Sequence, residues 1–266
     1  MTFGTFATPA VNALMVITET RLSSARADEI IEGLPFDGTA VADTIGFAGG
    51  IWMLWRSDLV QVDALAVMEQ EIHALIRVRS QTFNWIISAI YASHRFAERC
   101  VLWENLKMLA SLHNLPWAIM GDFNEVFSEE EKSRGNPISQ RRVNAILDCM
   151  DVCQMMDLGF SGPKFTWSNK RELGNLIQCR LDKCWVNPDW KAYFTEANVT
   201  HLAWINSDHC PWLLNLNPNI GPNSCRPFRF QSVWLSHKDF STVVRDAWTG
   251  LEDNLEGAIS RFTTSA

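Results

Sequence analysis

The first 216 residues are punctuated by short apolar runs that are too brief for buried helices. They are Ala13–Thr18 (ALMVIT), Ile51–Trp55 (IWMLW), Trp85–Tyr91 (WIISAIY), Trp117–Met120 (WAIM) and Trp212–Leu216 (WLLNL). Each is of typical strand length and bounded by Gly, Pro or polar residues, so each reads as a buried strand. Ile72–Arg79 (IHALIRVR) partly alternates and reads as a strand with one wetter face. Helical spacing separates these runs. Apolar residues at 96, 100, 103, 106, 109 and 110 predict an amphipathic helix over 96–112. Ser139 is placed to cap a second helix whose inner stripe is Val143, Ile146, Leu147 and Met150. Ser24–Leu34 is a weaker third helix, ended by Gly33 and Pro35. Several neighbouring strands have short links, so they cannot all be parallel. The expectation is a mixed α/β fold, with packed sheets and helices outside them.

Composition narrows the function classes. With 266 residues, 47% hydrophobic and 20% charged, the chain buries a large core and is not disordered. It has no apolar run near the roughly 20 residues that span a bilayer, and residues 1–10 do not resemble a secretory signal. Seven cysteines without a CxxC pair read as reduced, mostly buried thiols of an intracellular protein. A net charge of −7 argues against a passive, high-affinity nucleic-acid binder. It leaves open an enzyme that recruits a divalent cation through clustered carboxylates. Lys164, Lys170 and Arg171 form a basic patch that reads equally as a phosphate-contacting loop or a solvated turn. Trp185, Trp190 and Trp204 read mainly as core, and Arg141 and Arg142 as the exposed face of their helix. Beyond Leu216, residues 217–227 have linker composition, and Ser236 is placed to start an amphipathic helix through Ile259. The expected division is a domain over 11–217 and a linker plus helix over 218–266.

Carboxylates and polar groups stand at the ends of the apolar runs. Glu19 follows ALMVIT, and Gly121-Asp122-Phe123-Asn124 follows WAIM. Arg180-Leu181-Asp182 lies inside the patterned stretch 177–186, and Ser207-Asp208-His209 precedes the last run. An acid at a strand tip is costly unless it has a partner or a job. Taken singly, each has a plain alternative. Glu19 reads as a surface acid, Asp122 as a turn cap, Asp182 as the ion-pair partner of Arg180, and Asp208-His209 as a capped turn. Converging, they make a cleft with several carboxylates, one His and one Asn, suited to a hard divalent cation and to proton transfer.

The string of motifs resembles the endonuclease/exonuclease/phosphatase superfamily, the DNase I-like fold. It is carried by Ile17–Thr20, Ala89–Tyr91, Gly121–Glu125, Phe165–Trp167, Arg180–Asp182 and Ser207–His209. Residues 49–55, 116–135, 157–171 and 207–216 further resemble the endonuclease domain of plant LINE-type (non-LTR) retrotransposon polyproteins. The stretch 226–240 resembles the segment leading toward a reverse transcriptase. The resemblance implies a four-layer α-β-β-α sandwich of two mixed sheets and a nuclease nicking DNA, working in the nucleus if the DNA is chromosomal. It implies Mg²⁺ (or Mn²⁺) on Glu19 and Asp208, and Asp122 as the base that activates water. Asn124, on the same side of an extended segment, would orient that water. His209 would donate to a nonbridging oxygen, with Asp182 holding its tautomer. Tyr91 and Thr166 would supply hydroxyl donors, and Ser207 would support from behind. One departure stands out. The family opens with an Asn-bearing strand, and MTFGTFATPA does not match it, so the usual first strand is expected to be lacking and the chain a truncated copy. Two alternatives follow: an inositol-phosphate or phospholipid phosphatase of the same superfamily, and a catalytically inactive retroelement remnant.

Overall fold

All six runs read as strands are strands. In the computed structural model, which describes residues 2–8, 11–22, 24–45, 48–78, 83–204, 207–216, 241–242 and 244–245, the elements follow in this order. The chain starts with β1 (Thr2–Thr8), β2 (Val11–Thr18), α1 (Ser24–Glu32), β3 (Gly38–Ile45), β4 (Ala48–Trp55), β5 (Val60–Met68), β6 (Glu71–Val78) and β7 (Asn84–Tyr91). It continues with α2 (Phe96–Leu112), β8 (Trp117–Asp122), α3 (Gln140–Val152), β9 (Met156–Asp157), β10 (Trp167–Ser168) and β11 (Gln178–Cys179). It closes with β12 (Asp182–Val186), α4 (Pro188–Tyr193), β13 (Asn198–His201) and β14 (Trp212–Asn215).

The strands form two main sheets among the described residues. The first runs β13-β14-β1-β2-β4-β3 and the second β5-β6-β7-β8-β12-β9, while β10 and β11 form a separate short ladder. Both large sheets are mixed. β1 pairs parallel with β14, and β7 pairs parallel with β8 across the crossover that contains α2; the other pairings are antiparallel.

The opening of the chain corrects one expectation. Residues 2–8 carry no Asn, yet they form a strand, β1. β1 pairs antiparallel with β2 from Thr2–Thr18 to Thr8–Val11, and parallel with β14 from Gly4–Trp212 to Ala7–Asn215. The two-residue link to β2 permits only a hairpin, which sets the direction of β1. Its main chain supplies both neighbours with hydrogen-bond partners that they would otherwise lack.

Three groups of buried side chains hold the domain together. The largest draws Leu14, Val16, Ile51 and Met53 from the first sheet and Ile72, Ile87, Met120 and Cys184 from the second. A second group joins Ile86, Ile90 and Ile119 to Leu102, Trp103 and Leu106 of α2 and Ile146 and Met150 of α3. A third joins Ile17, Trp52 and Leu54 to Ala27 of α1. α2 has the predicted bounds, but its inner face is Arg99, Leu102, Trp103 and Leu106. On α3 the inner stripe takes Cys149, and Leu147 is 41% exposed. Ser139 is the residue before α3, yet its side chain makes no capping hydrogen bond. Trp185 and Trp190 are core, as expected, and Trp204 is half-buried. Six cysteines are free thiols, five of them buried; Cys225 lies outside the described residues. No helix among the described residues is long and apolar enough to cross a membrane.

The chain falls into two compact units, 1–220 and 221–266. In the second, the described residues 241–242 and 244–245 are helical. The linker expected over 217–227 and the rest of the helix expected over 236–259 lie outside the described residues.

Candidate active site

Three neighbouring strands of the second sheet end side by side. In the ladders, Tyr91 at the end of β7 stands opposite Asp122 at the end of β8, and Asp122 stands opposite Asp182 at the start of β12. Directly opposed residues in antiparallel strands share a face, so both carboxylates come to one spot. Gly121 makes this possible. Its φ is +138°, and a Cβ there would lie 2.0 Å from the Ile90 carbonyl oxygen. Only glycine lets β8 run this close to β7.

The first sheet supplies the facing side. Glu19 follows β2 with φ +57°, and Arg21 follows with φ +53°. The backbone N–H groups of Thr20 and Arg21 donate to the carbonyls of Gly50 and Gly49 at 3.5 and 3.3 Å. A Cβ on Gly50 would come within 2.2 Å of Thr20 Oγ1, so the glycine gives this turn its room. Before β14, residues 207–210 are held against residues 166–168. Ser168 N donates to the Asp208 carbonyl at 2.9 Å, Cys210 N donates to the Thr166 carbonyl at 2.8 Å, and Trp167 and His209 form an isolated bridge between them.

The side chains meet at this place. His209 Nδ1 and Asp182 Oδ2 are 2.8 Å apart, and His209 Nε2 lies 3.8 Å from Asp122 Oδ2. Tyr91 OH donates to Glu19 Oε1 at 3.2 Å and lies 3.2 Å from His94 Nε2. Arg21 Nη2 also donates to Glu19 Oε1. Ligand atoms of Glu19, Asp208 and His209 all lie within 4.8 Å of one another. Glu19, Asp122, Asp182 and His209 are buried, and Asp208 is half-buried. Asp182 therefore belongs to His209. Arg180 instead spends its guanidinium on Glu131 and Asp157, which removes the Arg180–Asp182 alternative.

Burial and crowding set the charges. Asp122 is pushed up to about 7, first by burial and then by the negative charges of Asp182 and Glu19, with His209 pulling the other way. Burial alone would lower His209, but Asp182, Asp122 and Asp208 outweigh it and raise it to about 9. Burial likewise acts to raise Asp208, yet His209 and the Trp167 side-chain hydrogen bond bring it below its ordinary value. Burial and the Glu19 charge raise Tyr91, so it is a phenol, a donor and not a base.

The donor set fits a hard divalent cation. Glu19 and Asp208 each offer a carboxylate oxygen to one cluster, the ligand type that a hard cation prefers. At neutral pH the charged His209 has no lone pair to offer, and its Nδ1 is committed to Asp182. Glu19 and Asp208 are thus the residues able to hold the cation through oxygen.

Two placements differ from sequence reasoning. β8 ends at Asp122, and Asn124 is not in an extended segment: its φ is +48°, its N–H donates to Asp122 Oδ1 at 2.8 Å, and its Nδ2 donates to the Ala92 carbonyl at 2.8 Å. Asn124 thus steadies Asp122 through its main chain. Thr166 is fully buried, and its Oγ1 accepts the N–H groups of Leu181 and Asp182 at 2.9 and 3.0 Å, fixing the start of β12. Ser207 Oγ accepts the His209 N–H at 3.2 Å, behind the cluster. Sequence reasoning passed over Arg21 and His94, although each lies within three residues of a motif, and it quoted Trp167 without giving it a role. It also passed over the charges that brace the loop after Asp122. Arg99 and Arg142 hold Glu125 at 2.9 and 3.1 Å. Fully buried Lys183 donates to the Arg180 and Glu125 carbonyls at 2.7 and 3.2 Å and pairs with Glu131 at 3.1 Å. Arg142 is therefore an ion-pair partner, and not only part of an exposed helix face.

Comparison with known proteins follows the same outline. No curated protein matches the sequence. Among solved structures, the chain is similar to the AP endonuclease LMAP from Leishmania major, with a TM-score of 0.58, 14% identity, and 76% of this chain and 77% of that one covered. It is similar to the endonuclease domain of TRAS1, a telomere-specific non-LTR retrotransposon, with a TM-score of 0.53, 16% identity, and 79% and 95% covered. It is also similar to the 3′ phosphatase NExo from Neisseria bound to a product DNA hairpin, with a TM-score of 0.54, 16% identity, and 76% and 88% covered. At these identities the likeness establishes the fold. The family model described as Endonuclease/Exonuclease/phosphatase family matches residues 11–203, most of the chain. The chain belongs to the endonuclease/exonuclease/phosphatase family.

Proposed function

We propose that the chain is a divalent-metal-dependent phosphodiesterase that nicks DNA, with Mg²⁺ or Mn²⁺ held by Glu19 and Asp208. One observation carries the reading: Asp122, its charge form poised near neutrality, faces an imidazolium that Asp182 holds in place. The cation, when bound, supplies charge neutralisation at the phosphate. The chain's own residues do the rest. Asp122 takes the proton of the attacking water, and Asn124 keeps the Asp122 carboxylate oriented through its N–H. His209 donates from Nε2 to a nonbridging oxygen, where negative charge grows in the transition state. Tyr91 keeps Glu19 in position, and Thr166 and Ser207 position Asp182 and His209.

The substrate is assigned by resemblance to retrotransposon endonucleases, and the fold shared with the TRAS1 domain supports it. Lys164, Lys170 and Arg171 are all exposed, with Lys170 and Arg171 on the segment between β10 and β11, beside the Trp167–His209 bridge. They are placed to meet a phosphate backbone. With a net charge of −7, affinity for DNA is modest, and a reverse transcriptase in a longer polyprotein would add to it. Acting on chromosomal DNA, the enzyme would work in the nucleus.

Two assays run side by side test the substrate: nicking of supercoiled plasmid and release of phosphate from inositol phosphates, both in Mg²⁺. Open circles without phosphate release are expected. Phosphate release without nicking would move the chain to the phosphatases of its family, and neither activity would mark it as an inactive remnant.

A further inference from the structure

Arg21 leaves the same strand exit as Glu19 and reaches back to it. Its Nη2 donates to Glu19 Oε1, the oxygen that also takes the Tyr91 hydroxyl. The two partners differ in their surroundings: the Glu19 side chain is 7% exposed and that of Arg21 58%. The carboxylate is thus fixed in the wall of the cleft, and the guanidinium comes to it from the solvent side. The main chain cannot follow a movement here, because Thr20 and Arg21 are tied to Gly50 and Gly49. A change of partner here therefore falls to the long, exposed Arg21 side chain. Glu19 is also one of the three groups whose ligand atoms converge. The carboxylate that takes the Arg21 guanidinium is thus one that the cation cluster also uses.

We infer that Arg21 is a tethered counter-ion: it pairs with Glu19 while no divalent cation is bound, is displaced when one binds, and then pairs with a phosphate of the DNA. The inference rests on the metal-dependent reading above and adds a regulatory step to it. On this inference cation binding breaks the Arg21–Glu19 pair, and DNA offers the released guanidinium a new partner. Cation and DNA then favour each other's binding, and by linkage the effect is reciprocal. An arginine suits both partners, since its planar fork pairs with carboxylate and phosphate alike.

The test uses the 266-residue chain and its Arg21→Gln and Arg21→Lys variants, with folding checked by thermal melting. Mn²⁺ binding is titrated without DNA by electron paramagnetic resonance. Binding to a labelled 20-base-pair duplex is followed by anisotropy in Ca²⁺. Arg21→Gln is expected to bind Mn²⁺ about three- to tenfold more tightly than the parent. The same variant is expected to bind the duplex at least about threefold more weakly, with a salt slope reduced by about one. Arg21→Lys should fall between. These opposite signs separate a displaced counter-ion from a residue that merely supports the fold, whose loss would weaken both. Equal Mn²⁺ binding by parent and Arg21→Gln, or a parallel loss of both affinities, would overturn this inference alone. Absence of Mn²⁺ binding in every form would overturn the metal reading and this inference with it.

Discussion

At the scale of single residues, the cluster is governed by which groups hold protons. His209 has its pKa raised from an ordinary 6.5 to about 9 in the folded chain. The folded state therefore binds that proton more tightly than the unfolded state. The resulting stabilisation is complete below pH 6.5 and is lost as pH rises through about 9. Asp122, raised from 3.8 to about 7, tilts stability the same way at lower pH: its contribution is complete below 3.8 and lost as pH rises through about 7. In chelator, the stability gap between the parent chain and His209→Gln should narrow between pH 6.5 and 9, as read by urea unfolding. A gap that stays constant or widens over that range would mean that Asp182 does not hold an imidazolium. The carboxylates and the histidine were legible because charge at the tip of an apolar run is unusual. Their partners were less so. Nothing local in the sequence says that Arg180 pairs with Glu131 and Asp157 and leaves Asp182 to His209. That choice is made by strand register and by Thr166, 16 residues from Asp182.

At the scale of elements, the site depends on how closely strand ends approach. Gly121 lies between the apolar run of β8 and Asp122, and its place cannot take a side chain without pushing on the Ile90 carbonyl. Gly121→Ala should cost about 3 kcal/mol or more in urea unfolding, through a disfavoured φ and a backbone clash together. A loss below about 1 kcal/mol would show that β7 and β8 are not held this close. The buried central strands were legible as apolar runs, and α2 from its spacing. β3 and β5 were not. Each lies at one edge of its sheet, half in water, and so carries polar residues among its apolar ones: Thr39 and Asp43 in β3, Gln61 and Asp63 in β5. Arg99 was hidden for the opposite reason. It occupies the inner face of α2, where a charge is unexpected, because Glu125 meets it there. Asn124 was misjudged as extended because the chain turns directly after β8.

At the scale of the whole molecule, the first sheet depends on β1. It lies between β2, which Glu19 follows, and β14, which Asp208 and His209 precede, and the registers put these residues at the same end of β1. TFGTFAT has little to mark it as a central strand; its place is set by the backbones on either side. Thr5 pairs with Met15 and with Leu213, so Thr5→Pro removes an N–H from the middle of the ladder. That variant should lower the melting temperature and weaken cation binding with it, measured by thermal melting and Mn²⁺ titration. An unchanged melting temperature would show that β1 is dispensable.

The central claim is that side chains from both sheets make one metal-dependent phosphodiesterase. Its most direct measurement is the rate of plasmid nicking in Mg²⁺, with and without chelator, for the parent chain and Asp122→Asn. The account requires cleavage that chelator abolishes and that Asp122→Asn slows by roughly 10²- to 10⁴-fold. Nicking that survives chelator, or that Asp122→Asn leaves at the parent rate, would contradict it.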